Sequence, residues 1–430
     1  MSGVHDTAQL STATSVHNGP RPLGGLDRTL PEASGRDRFL DLLRVVAISR
    51  VLVVHGAAST GSLWWPVPSW ILPGMPIIFF VAGALAFPAV IRRGSQSFHR
   101  DRFRRLLFPY WGLLVTGLLV LVVGAILWSG DEWTLRPQRL LDAAIPVIQP
   151  RLAPALTDLG THLWFASTFL VLLALTPALV RWHRWSPMTP VGACLAVFLV
   201  LNAVDRLWTP VAIEVLYVPM YGIFLCAGFG YADGSLLGLG RWTSLTRTRP
   251  WLWPAVATLV LTAAVIGGWT AYQRGTRDLS WDVVGHTFVA AGWLVVVLAL
   301  RSPLQQLGER TASVLDRVTP RTLTLYLWSA PAGVLAWRLA ERVDQPAGRI
   351  ASYVIGTTAL TAAALAVFGT LEDFAAGRKD TPRGRARRAS PDPPEDGCWR
   401  DPTSGQSRQP DSPLSALDRE TSSVISLRNG

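Results

Sequence analysis

The chain is poor in the residues that soluble proteins spend on their surfaces. Of 430 residues only 16% are charged, against about 25% in soluble domains, and Lys379 is the single lysine. Hydrophobic residues make up 50%, and they come in long blocks separated by short arginine-rich segments. Membrane spans alternate with loops in this way. The three cysteines, Cys194, Cys226 and Cys398, stand far apart in sequence, with neither metal spacing nor a disulfide framework. Cys194 and Cys226 fall in apolar blocks and read as small hydrophobes. The start of the chain has no basic region followed by an apolar core, so no signal peptide is expected. No Walker A loop, dinucleotide fingerprint, HExxH or GxSxG elbow is present, and no metal is expected.

What is present is a set of ten apolar segments. They lie at about 40–58, 70–90, 107–129, 162–180, 190–208, 211–231, 252–271, 283–300, 322–340 and 350–373, each able to cross about 30 Å of hydrocarbon. The expected fold is an all-α polytopic helix bundle of about ten transmembrane helices over residues 36–374. It is flanked by a polar segment, 1–35, and a charged, Pro/Ser-rich tail, 375–430, both expected to be disordered. Arginine placement orients the bundle. Arg92, Arg93, Arg100, Arg102, Arg104 and Arg105 sit between the second and third segments, while no charge separates His55 from the second. The positive-inside rule then puts both termini in the cytosol of a plasma-membrane protein. Trp64, Trp65, Trp70, Trp128, Trp133 and Trp281 mark the opposite interface. The net charge of +11 reflects topology and contact with anionic lipid rather than a nucleic-acid partner.

Ionisable residues within spans are costly and point to function. The first segment carries Asp41, Arg44, Arg50 and His55. Arg44 and His55 are eleven residues apart, so on a helix they lie within about 20° of each other and about 16 Å apart along the axis. Asp41 lies on the same side, placed to pair with Arg44. His55 falls deep in the outer half, where a neutral imidazole can act as a general base; it could equally hydrogen-bond to a neighbouring helix. Arg50 points about 120° away. Arg102 and Arg105, three residues apart on one helical face, could clamp a phosphate-bearing ligand or serve as a topology signal. His162 could contact a substrate or sit with Trp164 at the interface.

Taken together these segments resemble acyltransferase family 3, the integral-membrane O-acyltransferases. The resemblance rests on five motifs in the family's order: LDLLRVVAISRVLVVH from Leu40 to His55, PIIFFVAG from Pro76 to Gly83, RFRR from Arg102 to Arg105 ahead of Pro109, HLWF from His162, and LYLW from Leu325 ahead of Pro331. Ala82 stands where the family often has serine, and Ser329 where a histidine often follows the tryptophan. The resemblance implies transfer of an acyl group, often acetyl, from a cytosolic acyl-coenzyme A to a hydroxyl of a sugar, glycan or glycosylated natural product. It implies His55 as base or transient acyl acceptor with Arg44 and Asp41 in support, Arg102 and Arg105 on the coenzyme's phosphates, and His162 and Trp164 at the acceptor. The rival reading is a transporter of a glycolipid or small solute with Arg44, Arg50 and His55 along its pathway. A structural membrane scaffold is a third.

Overall fold

The computed structural model describes residues 36–59, 70, 73–127, 144–146, 161–236, 252–273, 275 and 282–377, with side chains at all of these except 53–59, 161 and 252–257. The segments 1–35 and 378–430, expected to be disordered, lie outside the described residues. Every regular element among the described residues is helical. In chain order they are α1 (Arg38–Ser59), α2 (Gly74–Arg93), α3 (Ser95–Leu127), α4 (Trp164–Trp185), α5 (Thr189–Leu207), α6 (Ile213–Ala232), α7 (Leu252–Gln273), α8 (Val283–Ala299), α9 (Arg301–Arg310), α10 (Ala312–Val318), α11 (Thr322–Ala340) and α12 (Pro346–Ala375). Short 3-10 turns at Thr161–Leu163 and Thr319–Arg321 lead into α4 and α11.

Each of the ten apolar segments falls on a helix. Six helices among the described residues (α2, α3, α4, α5, α6 and α12) are long and apolar enough to cross a membrane, and a seventh is added if α8 and α9, bent by 71°, form one span. Prolines interrupt several of these helices, Pro88, Pro109, Pro177 and Pro219 among them, and Pro331 interrupts α11. Packed neighbours re-satisfy the backbone groups that such prolines free. Between α2 and α3 the chain reverses at Gly94, whose φ of 76° is open to glycine; its N–H returns to the Val90 carbonyl.

Burial sorts the helices into a centre and a shell. The most apolar windows of α2 and α6 are 72% buried, whereas those of α3, α5 and α12 are 17% buried. Val115, Leu119 and Ile126 on α3 and Ile355 and Val367 on α12 are exposed, as expected of a surface that meets lipid. The shell can be apolar outside because lipid, unlike water, exacts no hydrophobic cost there.

The central pair, α2 and α6, is joined by glycines. A Cβ at Gly83 would overlap the Leu225 carbonyl of α6, and one at Gly228 would overlap the Phe80 carbonyl of α2. The two backbones therefore meet directly, the geometry that small residues permit between membrane helices. Gly83→Ala should destabilise the bundle by about 1–3 kcal/mol or more through forced overpacking. Gly192→Ala, where a Cβ meets nothing within 4 Å, is the control. Thermal melting of the detergent-solubilised protein reads both, and equal midpoints for the two variants would refute this packing account.

Around this centre, α1 packs against α2 on one side and α11 on the other, while α11 pairs with α12 and α7 with α8. The start of α1 is clasped to α10: Arg36 and Arg38 both reach Asp316, at 2.8 and 2.6 Å. The hydrogen bond from Arg38 holds the Asp316 carboxyl below the usual carboxylate range.

Candidate active site

Three arginines from two helices converge on one cavity of about 150 Å³. Arg44 enters from α1, with Ile48 one turn on beside it. Arg102 and Arg105 enter from α3, with Leu106. Their spacing of three residues puts both on one face, while Arg104 between them turns away and donates to the Phe374 carbonyl at 2.8 Å. Arg102 lies over the Phe98 ring at 5.7 Å, a cation–π contact that orients its guanidinium. A topology signal would need no such division of labour within the run.

Facing the arginines is Glu372 of α12, 6% exposed. Its carboxylate accepts from the Thr324 hydroxyl at 2.7 Å and the Thr324 N–H at 3.2 Å. A buried carboxylate needs such partners to stay charged. Three guanidinium charges against one carboxylate leave the cavity with a surplus of two positive charges. Thr319 and Thr322 add hydroxyls to the wall. Arginine forks in a partly dry pocket suit phosphate oxygens, because bidentate, charge-assisted hydrogen bonds outweigh the cost of ordering the ligand. The rest of the wall is apolar: Ile78, Val81, Ala82 and Leu85 from one face of α2, and Phe165 and Phe169 from α4. The methyl group of Ala82 adds to that apolar wall.

The inner end of the cavity is aromatic. Tyr326 of α11, 2% exposed, lies 4.7 Å from Phe165 by ring centroids, and Phe79 packs on Phe165 at 5.3 Å. The Tyr326 hydroxyl donates to the His162 carbonyl at 2.5 Å, and the His162 Nε2 meets the Leu327 carbonyl at 2.9 Å. The HLWF and LYLW segments are thus bonded to each other between buried residues 164 and 165 positions apart in sequence.

A family model described as an acyltransferase domain matches residues 37–369. The chain belongs to acyltransferase family 3. No curated protein and no solved structure matches it.

In this acyltransferase the sequence-derived site residues separate into groups. Arg44, Arg102 and Arg105 share the cavity. Asp41 does not line it: among the described residues its ion pairs run to Arg36 at 2.5 Å and Arg38 at 3.6 Å, so the expected Asp41–Arg44 pair is replaced by a cluster at the start of α1. His162 is 1% exposed and ties α4 to α11. Trp164 stacks with Tyr221 at 5.5 Å and lies 4.5 Å from Tyr217. Both belong to the aromatic layer beyond the cavity rather than to the cavity itself. The side chain of His55 lies outside the described residues. The backbone of α1 is nevertheless one unbroken helix from Arg38 to Ser59, so the angular and axial relation of His55 to Arg44 holds.

Cys194 and Cys226 are free cysteines on α5 and α6, two helices that pack against each other. The acyltransferase site also contains Glu372, Thr319 and Thr322, which motif reasoning passed over, and Tyr326, which appeared only as a letter of LYLW with no role attached. Glu372 could have been found by the rule that found Arg44, since it is an acidic residue inside an apolar segment. Thr319 has no such signal.

Proposed function

We infer that this acyltransferase moves an acyl group, acetyl above all, from a cytosolic acyl-coenzyme A to a hydroxyl of a sugar, glycan or glycosylated natural product. The observation that carries the reading is the convergence of Arg44, Arg102 and Arg105 on one cavity in a member of this family. The arginine surplus suits the coenzyme's phosphates, and the apolar wall suits its pantetheine arm. His55, about 16 Å along α1 from Arg44 on the same face, is the group that activates the acceptor hydroxyl or takes the acyl group itself. Arg44 orients the donor and steadies negative charge developing on the thioester oxygen. In this reading the bundle crosses a plasma membrane ten times with both termini in the cytosol, as the arginine distribution indicates.

The side of donor entry is directly testable. Sealed inside-out vesicles supplied with radiolabelled acetyl-coenzyme A should label membrane-associated glycan, and right-side-out vesicles should not. Equal labelling from both sides, or none from either with competent acceptors present, would overturn the reading. Solute flux without consumption of acyl-coenzyme A would favour a transporter instead.

A further inference from the structure

One wall of the arginine cavity is built where the chain enters α11. Thr319, Pro320, Thr322 and Leu323 from this stretch line the same cavity as Arg44, Arg102 and Arg105. Pro320 suits the short turn Thr319–Arg321 because it has no N–H to leave unsatisfied there. Arg321 turns away from the cavity wall. Its guanidinium donates to Asp373 of α12 at 3.0 Å, and Gly369 leaves room for it, since a Cβ there would stand 3.3 Å from the Arg321 Nε. The turn is thereby tied to α12.

The stretch from Thr319 to Thr324 reads TPRTLT, and its three hydroxyls have different fates. The Thr324 hydroxyl donates to the Glu372 carboxylate at 2.7 Å, and the Thr322 hydroxyl donates to the Thr319 carbonyl at 3.1 Å. Thr319 is 6% exposed, yet its hydroxyl has no hydrogen-bond partner among the described residues. A buried hydroxyl in that condition is destabilising, and an isosteric valine would spare the protein that cost. Packing alone therefore gives no reason for threonine at this position. The helix that follows adds a favourable field, because the N-terminal end of a helix attracts anions. That end already receives one: the Thr324 N–H donates to the Glu372 carboxylate at 3.2 Å.

We propose that Thr319 binds the diphosphate of the donor. Its hydroxyl donates to a phosphate oxygen that Arg44, Arg102 and Arg105 hold from the α1 and α3 side of the cavity. Phosphate oxygens only accept hydrogen bonds, so a hydroxyl serves them as a donor and needs nothing in return. Charge matching favours the diphosphate. Three arginines against Glu372 leave two positive charges, and a diphosphate bridge carries one negative charge on each phosphate. The donor added to complete such a site is best neutral, as a threonine hydroxyl is. This assignment deepens the acyl-coenzyme A reading and rests on it for the identity of the ligand.

The test measures equilibrium binding of labelled coenzyme A and 3′-dephospho-coenzyme A to the full chain in phosphatidylcholine nanodiscs. Wild type is compared with Thr319→Val and Thr319→Ser. Thr319→Val should weaken both ligands by the same factor, about tenfold or more, as expected for a hydrogen bond to a charged group. Thr319→Ser, which restores the hydroxyl, should stay within about threefold of wild type. The melting midpoint of ligand-free Thr319→Val should not fall, since valine removes a hydroxyl without a partner. Equal affinity in wild type and Thr319→Val overturns the proposal and leaves the acyl-coenzyme A reading standing. A loss seen with coenzyme A but not with its 3′-dephospho form also overturns it, by moving Thr319 to the other phosphate. So does a joint fall in affinity and melting midpoint, which marks a structural role. If the valine variant fails to fold, Thr319→Ala supplies the same comparison. Inorganic pyrophosphate separates the two claims. A wild type that binds pyrophosphate, and binds it more weakly after Thr319→Val, but binds no coenzyme A would uphold the anion site and refute the donor reading. Binding of none of these ligands, with phosphatidylglycerol retained on purification, would give the site to a lipid headgroup and overturn the proposal.

Discussion

Replacing His55 by alanine should reduce acyl transfer about 10²–10⁴-fold, the range contributed by a positioned general base. The expectation follows from α1 being continuous from Arg38 to Ser59. Eleven helical residues separate His55 from Arg44, which keeps both on one face, and Arg44 lines the cavity. A donor anchored by its phosphates at the arginines therefore extends towards His55 rather than away from it. His55→Gln should lose activity to a similar degree, since glutamine keeps hydrogen bonding but has neither basicity nor nucleophilicity. Coenzyme A affinity should stay within about twofold in both variants. Initial rates with radiolabelled acetyl-coenzyme A decide the matter, and a His55→Ala protein as active as wild type would remove His55 from the mechanism.

The second large effect concerns the donor. The double variant Arg102→Ala with Arg105→Ala should weaken coenzyme A binding by about 10²-fold or more, because each charge-assisted hydrogen bond to a phosphate contributes roughly 1.5–3 kcal/mol. Arg104→Ala makes a good control: Arg104 binds the Phe374 carbonyl and lies over the Phe374 ring at 5.2 Å, outside the cavity. Part of the wild-type affinity should fall with added salt, since the phosphates of free coenzyme A are screened by ions in solution. Equilibrium binding of labelled coenzyme A measures all of this. Equal affinity in wild type and the double variant would return Arg102 and Arg105 to the role of topology signals.

The helices were legible in the sequence because each apolar segment announces itself locally; most edges shifted by a few residues, but α3 begins at Ser95 rather than near 107, because the arginine-rich stretch ahead of its apolar part is helical too. The arginine pair of α3 was legible for the same reason: a spacing of three is a statement about one helix. What depends on two helices was not. Asp41 was placed for Arg44 by spacing, but Arg36 and Arg38 are also within reach of its carboxylate, and the clasp to Asp316 holds them at that end of α1. His162 opened a segment like an interfacial residue, yet its burial depends on α11, which arrives from 165 residues away. Gly83 appeared only as a motif letter; the Leu225 backbone that makes it indispensable is set by how α2 and α6 pack. The same holds for Glu372, whose place opposite the arginines is a property of the assembled bundle.

The most direct test of acyl transfer at this site counts products. Purified protein in nanodiscs is given doubly labelled acetyl-coenzyme A and an alkyl glucoside, and both acetyl ester and free coenzyme A thiol are quantified. The account predicts one ester formed per thiol released, near-complete loss of both with His55→Ala, and a deficit with Arg102→Ala plus Arg105→Ala that saturating donor restores. Thiol release without ester on any hydroxyl acceptor, or ester formation unchanged by His55→Ala, would contradict it.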